Sequence, residues 1–146
     1  MNIVFTHGYF LAEDPKEKEI MRPYPPLGIL YISAYLEING FPNDVFDATF
    51  NTIDLLEKYL LEKRPRIIGV YTNLMTKINV LRIINFVKNN PLLQDTKIVL
   101  GGPEVRNHKE NFLQYGADII VFGEGEDTML ELVTAFSKNN KPALHD

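Results

Sequence analysis

The sequence has no cysteine in 146 residues. Disulfides, thiolate metal sites and any cysteine-held iron–sulfur cluster are thereby excluded from this chain. It also lacks any apolar run near the roughly 20 residues that a membrane-spanning helix needs. Its start has neither the basic residues nor the apolar core of a signal peptide. Basic residues are few and unclustered: 15 Lys and Arg against 19 Asp and Glu give a net charge of −4. That balance leaves no electrostatic footprint for nucleic acid. With 45% hydrophobic and 23% charged residues the chain is neither disordered nor of low complexity. These exclusions leave one domain of ordinary size, expected in the cytoplasm, with neither nucleic acid nor membrane as partner.

What is present is alternation. Short apolar runs at Ile3–Phe5, Val45–Phe46, Ile67–Val70, Ile98–Leu100 and Ile119–Phe122 are separated by stretches of helical period. Four runs carry apolar side chains at consecutive positions, as strands covered on both faces do. The second is mixed with Pro42, Asn43 and Asp44, which places it at a sheet edge. Helices are expected over Leu27–Asn39, closed by Gly40, and over Thr52–Lys63. Three more run from Thr76 as cap to Asn89, from about Lys109 to Tyr115, and from Glu126 to Ser137. In the first, Leu27, Leu30, Tyr31, Ala34, Tyr35 and Ile38 follow the i, i+3, i+4, i+7 pattern and are expected to be core. In the third, the expected inner face is Ile78, Leu81, Ile84 and Val87 or a close variant. The fold class is therefore α/β: a three-layer, flavodoxin-like (Rossmann-like) domain with a five-stranded parallel sheet of order 2-1-3-4-5. The domain is expected over residues 1–138, with 139–146 a linker or tail. The one long irregular stretch, Thr6 to Pro25, is expected to be a functional or disordered loop.

Ligands of open parallel sheets bind outside the carboxyl ends of the strands, and the unusual residues gather there. Thr6-His7-Gly8-Tyr9-Phe10 follows the first strand and Tyr71-Thr72-Asn73-Leu74 the third. The fourth ends in Gly101-Gly102-Pro103-Glu104 and the fifth in Gly123-Glu124-Gly125-Glu126. Glycine pairs are common in tight strand-to-helix turns, but two pairs on one rim favour close approach of backbone to something large and flat. Phosphate-first occupants fit poorly. Glu124, Glu126 and Asp127 open the last helix and repel an anion. There is no GxxxxGK[ST] loop, and Thr128 stands where a dinucleotide fingerprint has its third glycine. A flavodoxin phosphate loop and a receiver-domain aspartate and lysine are also missing. Carboxylates and carbonyls instead accept hydrogen bonds from neutral amides. A corrin ring with its amide side chains meets that description, although composition alone does not name it.

Four motifs in order resemble one family across nearly the whole chain. Tyr24-Pro25-Pro26-Leu27-Gly28-Ile29-Leu30-Tyr31 through Leu36 and Gly40 is similar to the YPPLGLxYLAxxLxxxG opening of the cobalamin-binding domain of radical S-adenosylmethionine enzymes. Arg66-Ile67-Ile68-Gly69-Val70 resembles its third strand, with Arg66 in place of an aspartate. Asp47 falls where the family often ends its second strand in an aspartate. Leu100-Gly101-Gly102-Pro103-Glu104 resembles the GGP motif, and Asp118 through Glu126, followed by Thr128, the DxVVxGEGE segment. The resemblance implies cobalamin held across the rim, its nucleotide tail between the loops after strands three, four and five. The implied contacts are His7, Tyr9, Tyr71, Thr72, Asn73, Leu74, Gly101, Gly102, Pro103, Glu104, Gly123, Glu124, Gly125 and Thr128. It also implies a partner, a downstream radical S-adenosylmethionine barrel. The iron–sulfur cluster and S-adenosylmethionine would be held there, and the chain would be an N-terminal module without catalytic residues of its own. Methyl transfer is the reaction first implied for the full-length protein, with ring formation and other rearrangements also known in the family.

The departures define what stays open. The DxHxxG motif, whose histidine ligates cobalt in other cobalamin domains, is absent. His7 occupies the right loop without the aspartate or the spacing, so it is a cobalt-ligand candidate set against loop packing. The metal ligand is thus unknown. Tyr9 and Phe10 either pack on the corrin or are buried in the loop. His108, beside Arg106 and Lys109, either caps its helix or joins a basic cluster that meets a phosphate. His145 is expected to be inert in the tail, and Glu13 to Glu19 to be a solvated surface. Two rival readings remain: an interaction or regulatory module that kept the fold and lost the cofactor, favoured by Tyr71 standing near where the family's strand-three loop commonly carries a serine, and a flavodoxin-like nucleotide protein.

Overall fold

The computed structural model describes residues 1–21 and 23–139. Five strands pair in parallel: β1 (Ile3–His7), β2 (Asp44–Val45), β3 (Ile67–Tyr71), β4 (Lys97–Gly101) and β5 (Ile119–Ile120). Their order is β2-β1-β3-β4-β5, as the alternation predicts, with the proline-preceded strand at the edge. A parallel pair needs a crossover, and a helix supplies it. Helices α1 (Pro15–Ile20) and α2 (Leu27–Ile38) follow β1, α3 (Ile53–Lys63) follows β2 and α4 (Lys77–Asn89) follows β3. Helix α5 (Val105–Tyr115) follows β4 and α6 (Glu126–Ser137) follows β5. Among the described residues no helix is long and apolar enough to cross a membrane.

Alternation along each strand builds two cores. Ile3, Phe5, Ile67 and Val99 face α2 and α6, meeting Ile29, Leu36, Met129 and Val133. Val4, Ile68, Ile98 and Leu100 face the other way, onto α3, α4 and α5, meeting Leu56, Leu60, Ile84 and Phe112. His7 is in register with Tyr71, and Tyr71 with Gly101, so β1, β3 and β4 end at one level and their loops form a common rim.

Several expectations are corrected. The stripe assigned to the core of α2 is its solvent face: Leu27 is 56% exposed, Tyr31 65% and Ile38 81%, whereas Ile29, Ser33 and Leu36 are buried. The helix is apolar nearly all round, so a 3.6 period fits either face. The buried face of α4 is Val80, Ile83, Ile84 and Val87, with Ile78 exposed. Thr76 precedes α4, but its hydroxyl accepts from the Asn73 backbone N–H at 3.0 Å rather than capping the helix. Helix α5 starts at Val105, four residues before expectation, and is broken by non-helical backbone at His108. The Thr6–Pro25 stretch is not a bare loop. It holds a 3-10 turn at Leu11–Glu13 and then α1, capped by the Asp14 carboxylate accepting from Glu17 N–H at 3.2 Å. Phe10 is buried in the α3–α5 core, which settles its alternatives in favour of loop burial. Of the expected tail only Asn139 is described; it accepts from the Arg66 guanidinium at 3.2 Å, and His145 lies outside the described residues.

The two faces of α2 predict opposite mutational costs. Leu36→Ala, in a site with no accessible surface, is expected to cost about 2–5 kcal/mol. Tyr31→Ser is expected to change stability by less than about 0.5 kcal/mol. Urea denaturation of both variants measures the contrast, and equal losses would contradict the placement of the helix.

Candidate functional site

At the carboxyl ends of β3 and β4, on the side covered by α2 and α6, the sheet is left partly uncovered. The opening is a cavity of about 210 Å³, larger than the ~150 Å³ that accepts one benzene ring. Its walls are apolar and come from both layers: Phe5, Val99 and Val121 from the sheet, Ile29 and Ile32 from α2, Met129 from α6. Glycines edge it at Gly28, Gly69, Gly101, Gly102, Gly123 and Gly125. Two of them are required by close approach. At Gly69 a Cβ would sit 2.5 Å from the Phe5 ring, so β3 has to be bare there for Phe5 to lie across it. At Gly102, with φ +112°, a Cβ would overlap the Thr72 carbonyl oxygen. The loops after β3 and β4 therefore touch through backbone, and Thr72 N–H donates to Gly101 O at 2.8 Å.

The cavity has three residues with polar side chains in its lining. Tyr71, Glu124 and Glu126 border it. Asp127 does not, because its carboxylate accepts the Tyr35 hydroxyl at 2.6 Å and ties α6 to α2. That hydrogen bond, with the negative charges of Asp127 and Glu126, pushes the Tyr35 phenol up from 10.0. Beside the cavity, and sharing Tyr71, Gly102 and Gly123 with it, opens a shelf formed by Pro103, Arg106, Asn107 and Phe122.

The sequence-predicted residues divide by place. Tyr71, Gly101, Gly102, Gly123, Glu124 and Gly125 line the cavity, and Pro103 the shelf. Thr72 is buried between the cavity residues, and its hydroxyl has no hydrogen-bond partner. Asn73 turns inward to accept from Thr76 N–H at 3.0 Å. Leu74 is 75% exposed and Thr128 is exposed; neither lines the cavity. Glu104 is buried away from the cavity, with Oε1 3.1 Å from His108 Nε2 and 3.8 Å from Lys77 Nζ. The His108 ring is not aligned for a hydrogen bond there, and Glu104 Oε1 is left without a hydrogen-bond partner. His108 thus neither caps α5 nor stands free. Sequence reasoning missed Ile29, Ile32 and Met129, which carried a signal only as core positions of α2 and α6. It also missed Gly69, whose place inside an apolar strand was the available cue.

The family model for the B12 binding domain matches residues 19–133. The chain belongs to the B12-binding domain family. Over 143 residues it is 32% identical to an anaerobic magnesium-protoporphyrin IX monomethyl ester cyclase of Rubrivivax gelatinosus, covering 92% of this chain and 24% of that protein. It is 29% identical over 144 residues to an uncharacterized methyltransferase of Pyrococcus horikoshii, covering 90% of this chain and 30% of that one. The chain therefore spans less than a third of the length of these curated relatives. Its fold matches OxsB, a cobalamin-dependent S-adenosylmethionine radical enzyme solved with aqua-cobalamin and S-adenosylmethionine bound. The TM-score is 0.76 at 22% identity, over 96% of this chain and 19% of that one.

In this B12-binding domain His7 is 4% exposed and both ring nitrogens are engaged. Nδ1 accepts the Tyr9 backbone N–H at 3.1 Å, which leaves the proton on Nε2 to donate to Asp47 Oδ1 at 2.9 Å. This arrangement offers a metal no lone pair from His7. Tyr9 lies with Phe10 in a separate groove beside Glu13, Asp14 and Met75. Burial, then the charges of Asp14 and Glu17, raise its phenol above 10.0. Among the described residues no group of three His, Asp or Glu side chains is placed to hold a metal ion.

Burial pushes the Asp47 carboxyl up, but hydrogen bonds from Thr49 and His7 outweigh it and hold the group below 3.8. A carboxyl depressed by folding contributes stability above its unfolded value and loses it as pH falls through the folded one. Asp47→Asn is therefore expected to destabilise the domain near neutral pH by less than ~1 kcal/mol, since solvent screens a carboxylate this exposed. The difference from wild type should persist down to pH 3.8 and fade as the pH falls further, through the lower folded value. Denaturant titrations at both ends of that range read it, and a difference independent of pH would contradict the pairing.

Proposed function

We propose that this chain is the cobalamin-holding module of a radical S-adenosylmethionine enzyme, without catalytic groups of its own. The observation that carries the reading is the apolar cavity at the rim. It is kept open by bare glycine edges and bordered by acceptor groups, where a module that had lost its ligand would be filled by side chains. Cobalamin pairs a flat aromatic lower base with a wide ring edged by neutral amides. A two-ring base fits the cavity by size and polarity, and Gly101, Gly102, Gly123 and Gly125 let its faces meet backbone. Tyr71, Glu124 and Glu126 accept amide N–H groups at the mouth. His7 stays with Asp47, so the cobalt takes no ligand from it. When bound, the group supplies a cobalt centre that carries an alkyl group or an electron. The residues of this chain bind and orient it and keep the lower base out of water.

Each curated relative is more than three times as long as the matched region. The partner in this reading is a radical S-adenosylmethionine barrel, which would hold the iron–sulfur cluster and S-adenosylmethionine. Methyl transfer is the reaction we favour for the whole protein, with ring formation as the alternative that the cyclase relative suggests. The cytoplasm, which keeps such a cluster reduced, is the compartment that goes with it. Leu74, Thr128 and Tyr9 are left as secondary contacts with the ring periphery.

Gly28 provides the test. A Cβ there meets nothing within 4 Å and its φ is ordinary, yet the residue lines the cavity. Gly28→Phe is expected to fold normally and to lose at least tenfold in affinity for hydroxocobalamin, followed by the spectral shift of the corrinoid on titration. Absence of binding by the wild-type chain would overturn the reading, and full binding by the folded variant would remove the cavity from it.

A further inference from the structure

The cavity can take an uncharged aromatic group but not an anion. Its lining contains no cation, and Glu124 and Glu126 stand at its mouth. Within ~10 Å, one Debye length at 0.1 M salt, a phosphate there would be repelled. Yet the lower base of a complete corrinoid is joined to the ring through a ribose and one phosphodiester. If the base enters the cavity, that negative charge has to come to rest just outside it.

The adjoining shelf is prepared for it. It is continuous with the cavity through Tyr71, Gly102 and Gly123, and the basic side chain on it is Arg106. Its guanidinium lies 5.9 Å from the centroid of the Phe122 ring. Stacking of this kind holds a guanidinium in place without consuming its hydrogen-bond donors. Among the described residues Arg106 enters no ion pair, in contrast with its neighbours. Lys77 and His108 are both drawn to the buried Glu104, at 3.8 and 3.1 Å. Of the basic residues at the start of α5, His108 is thus committed inward and Lys109 lies outside the shelf's lining, so Arg106 is the one that faces the shelf. Asn107 adds an amide donor on the same surface.

We propose that Arg106 is the phosphate-binding residue of this module: its guanidinium takes the phosphodiester of the corrinoid's nucleotide tail in a forked pair of hydrogen bonds. This makes it the residue through which the domain selects complete corrinoids over those lacking the tail. The proposal rests on the cobalamin reading above and adds to it a site outside the cavity.

The experiment compares two probes, hydroxocobalamin and dicyanocobinamide, the latter without the nucleotide tail. Each is titrated against the full chain as wild type, Arg106→Gln and Arg106→Lys, at low and high salt, with circular dichroism to check folding. Arg106 is exposed and its removal should leave the spectrum and melting temperature unchanged. The expected result is a loss of about tenfold or more for hydroxocobalamin in Arg106→Gln, a smaller loss in Arg106→Lys, and no change for dicyanocobinamide. The loss should shrink as salt rises. Equal losses for both probes, or an unchanged affinity for hydroxocobalamin, would overturn the role of Arg106 while leaving the cobalamin reading intact. Failure of the wild type to bind hydroxocobalamin would instead bring down that reading, and this inference with it.

Discussion

The contact between Gly102 and the Thr72 carbonyl is the constraint from which the rim follows. No side chain fits between the two, so the loops after β3 and β4 lie backbone to backbone, fixed by the 2.8 Å hydrogen bond from Thr72 N–H to Gly101 O. Because β1, β3 and β4 end in register, that contact sets one level for the whole edge. Tyr71 is then held between the apolar cavity on one side and the shelf carrying Arg106 on the other. Below the rim the same economy of side chains operates at Gly69, where the bare strand lets Phe5 lie flat and form the cavity floor.

Electrostatics divides this edge. Carboxylates at the mouth of the cavity, with apolar walls behind them, admit neutral aromatic and amide groups. The shelf carries the opposite charge within the same surface. A ligand that is aromatic at one end, anionic in the middle and amide-rich at the other meets complementary surface along its length. Complementarity of this kind selects among ligands more than it adds raw affinity. Family membership and cavity geometry thus point to the same occupant from independent directions.

The strand order was legible because consecutive apolar residues mark strands covered on both faces and Pro42 marks an edge. The glycine-rich loops were legible because each is a local pattern. What sequence could not resolve came from tertiary packing. Helix α2 carries two apolar stripes, and period alone chose Leu27, Tyr31 and Ile38, whereas the sheet took Ile29 and Leu36 with Ser33 between them. The cavity walls suffer the same limit, since Ile29 and Met129 are brought together only when α2 and α6 pack side by side. Phe10 reads as a loop aromatic but is drawn into the α3–α5 core by the turn that follows it. His7 sat in the right loop for a ligand, yet only the fold brings Asp47 to it across 40 residues of sequence.

The central claim is that the lower base would occupy the cavity while His7 stays with Asp47, so that neither would supply a nitrogen ligand to the cobalt. Electron paramagnetic resonance of cob(II)alamin bound to the full chain measures this directly. The account predicts a base-off spectrum without nitrogen splitting on the cobalt lines. A spectrum with nitrogen splitting, whether from the lower base or from an imidazole, would contradict it.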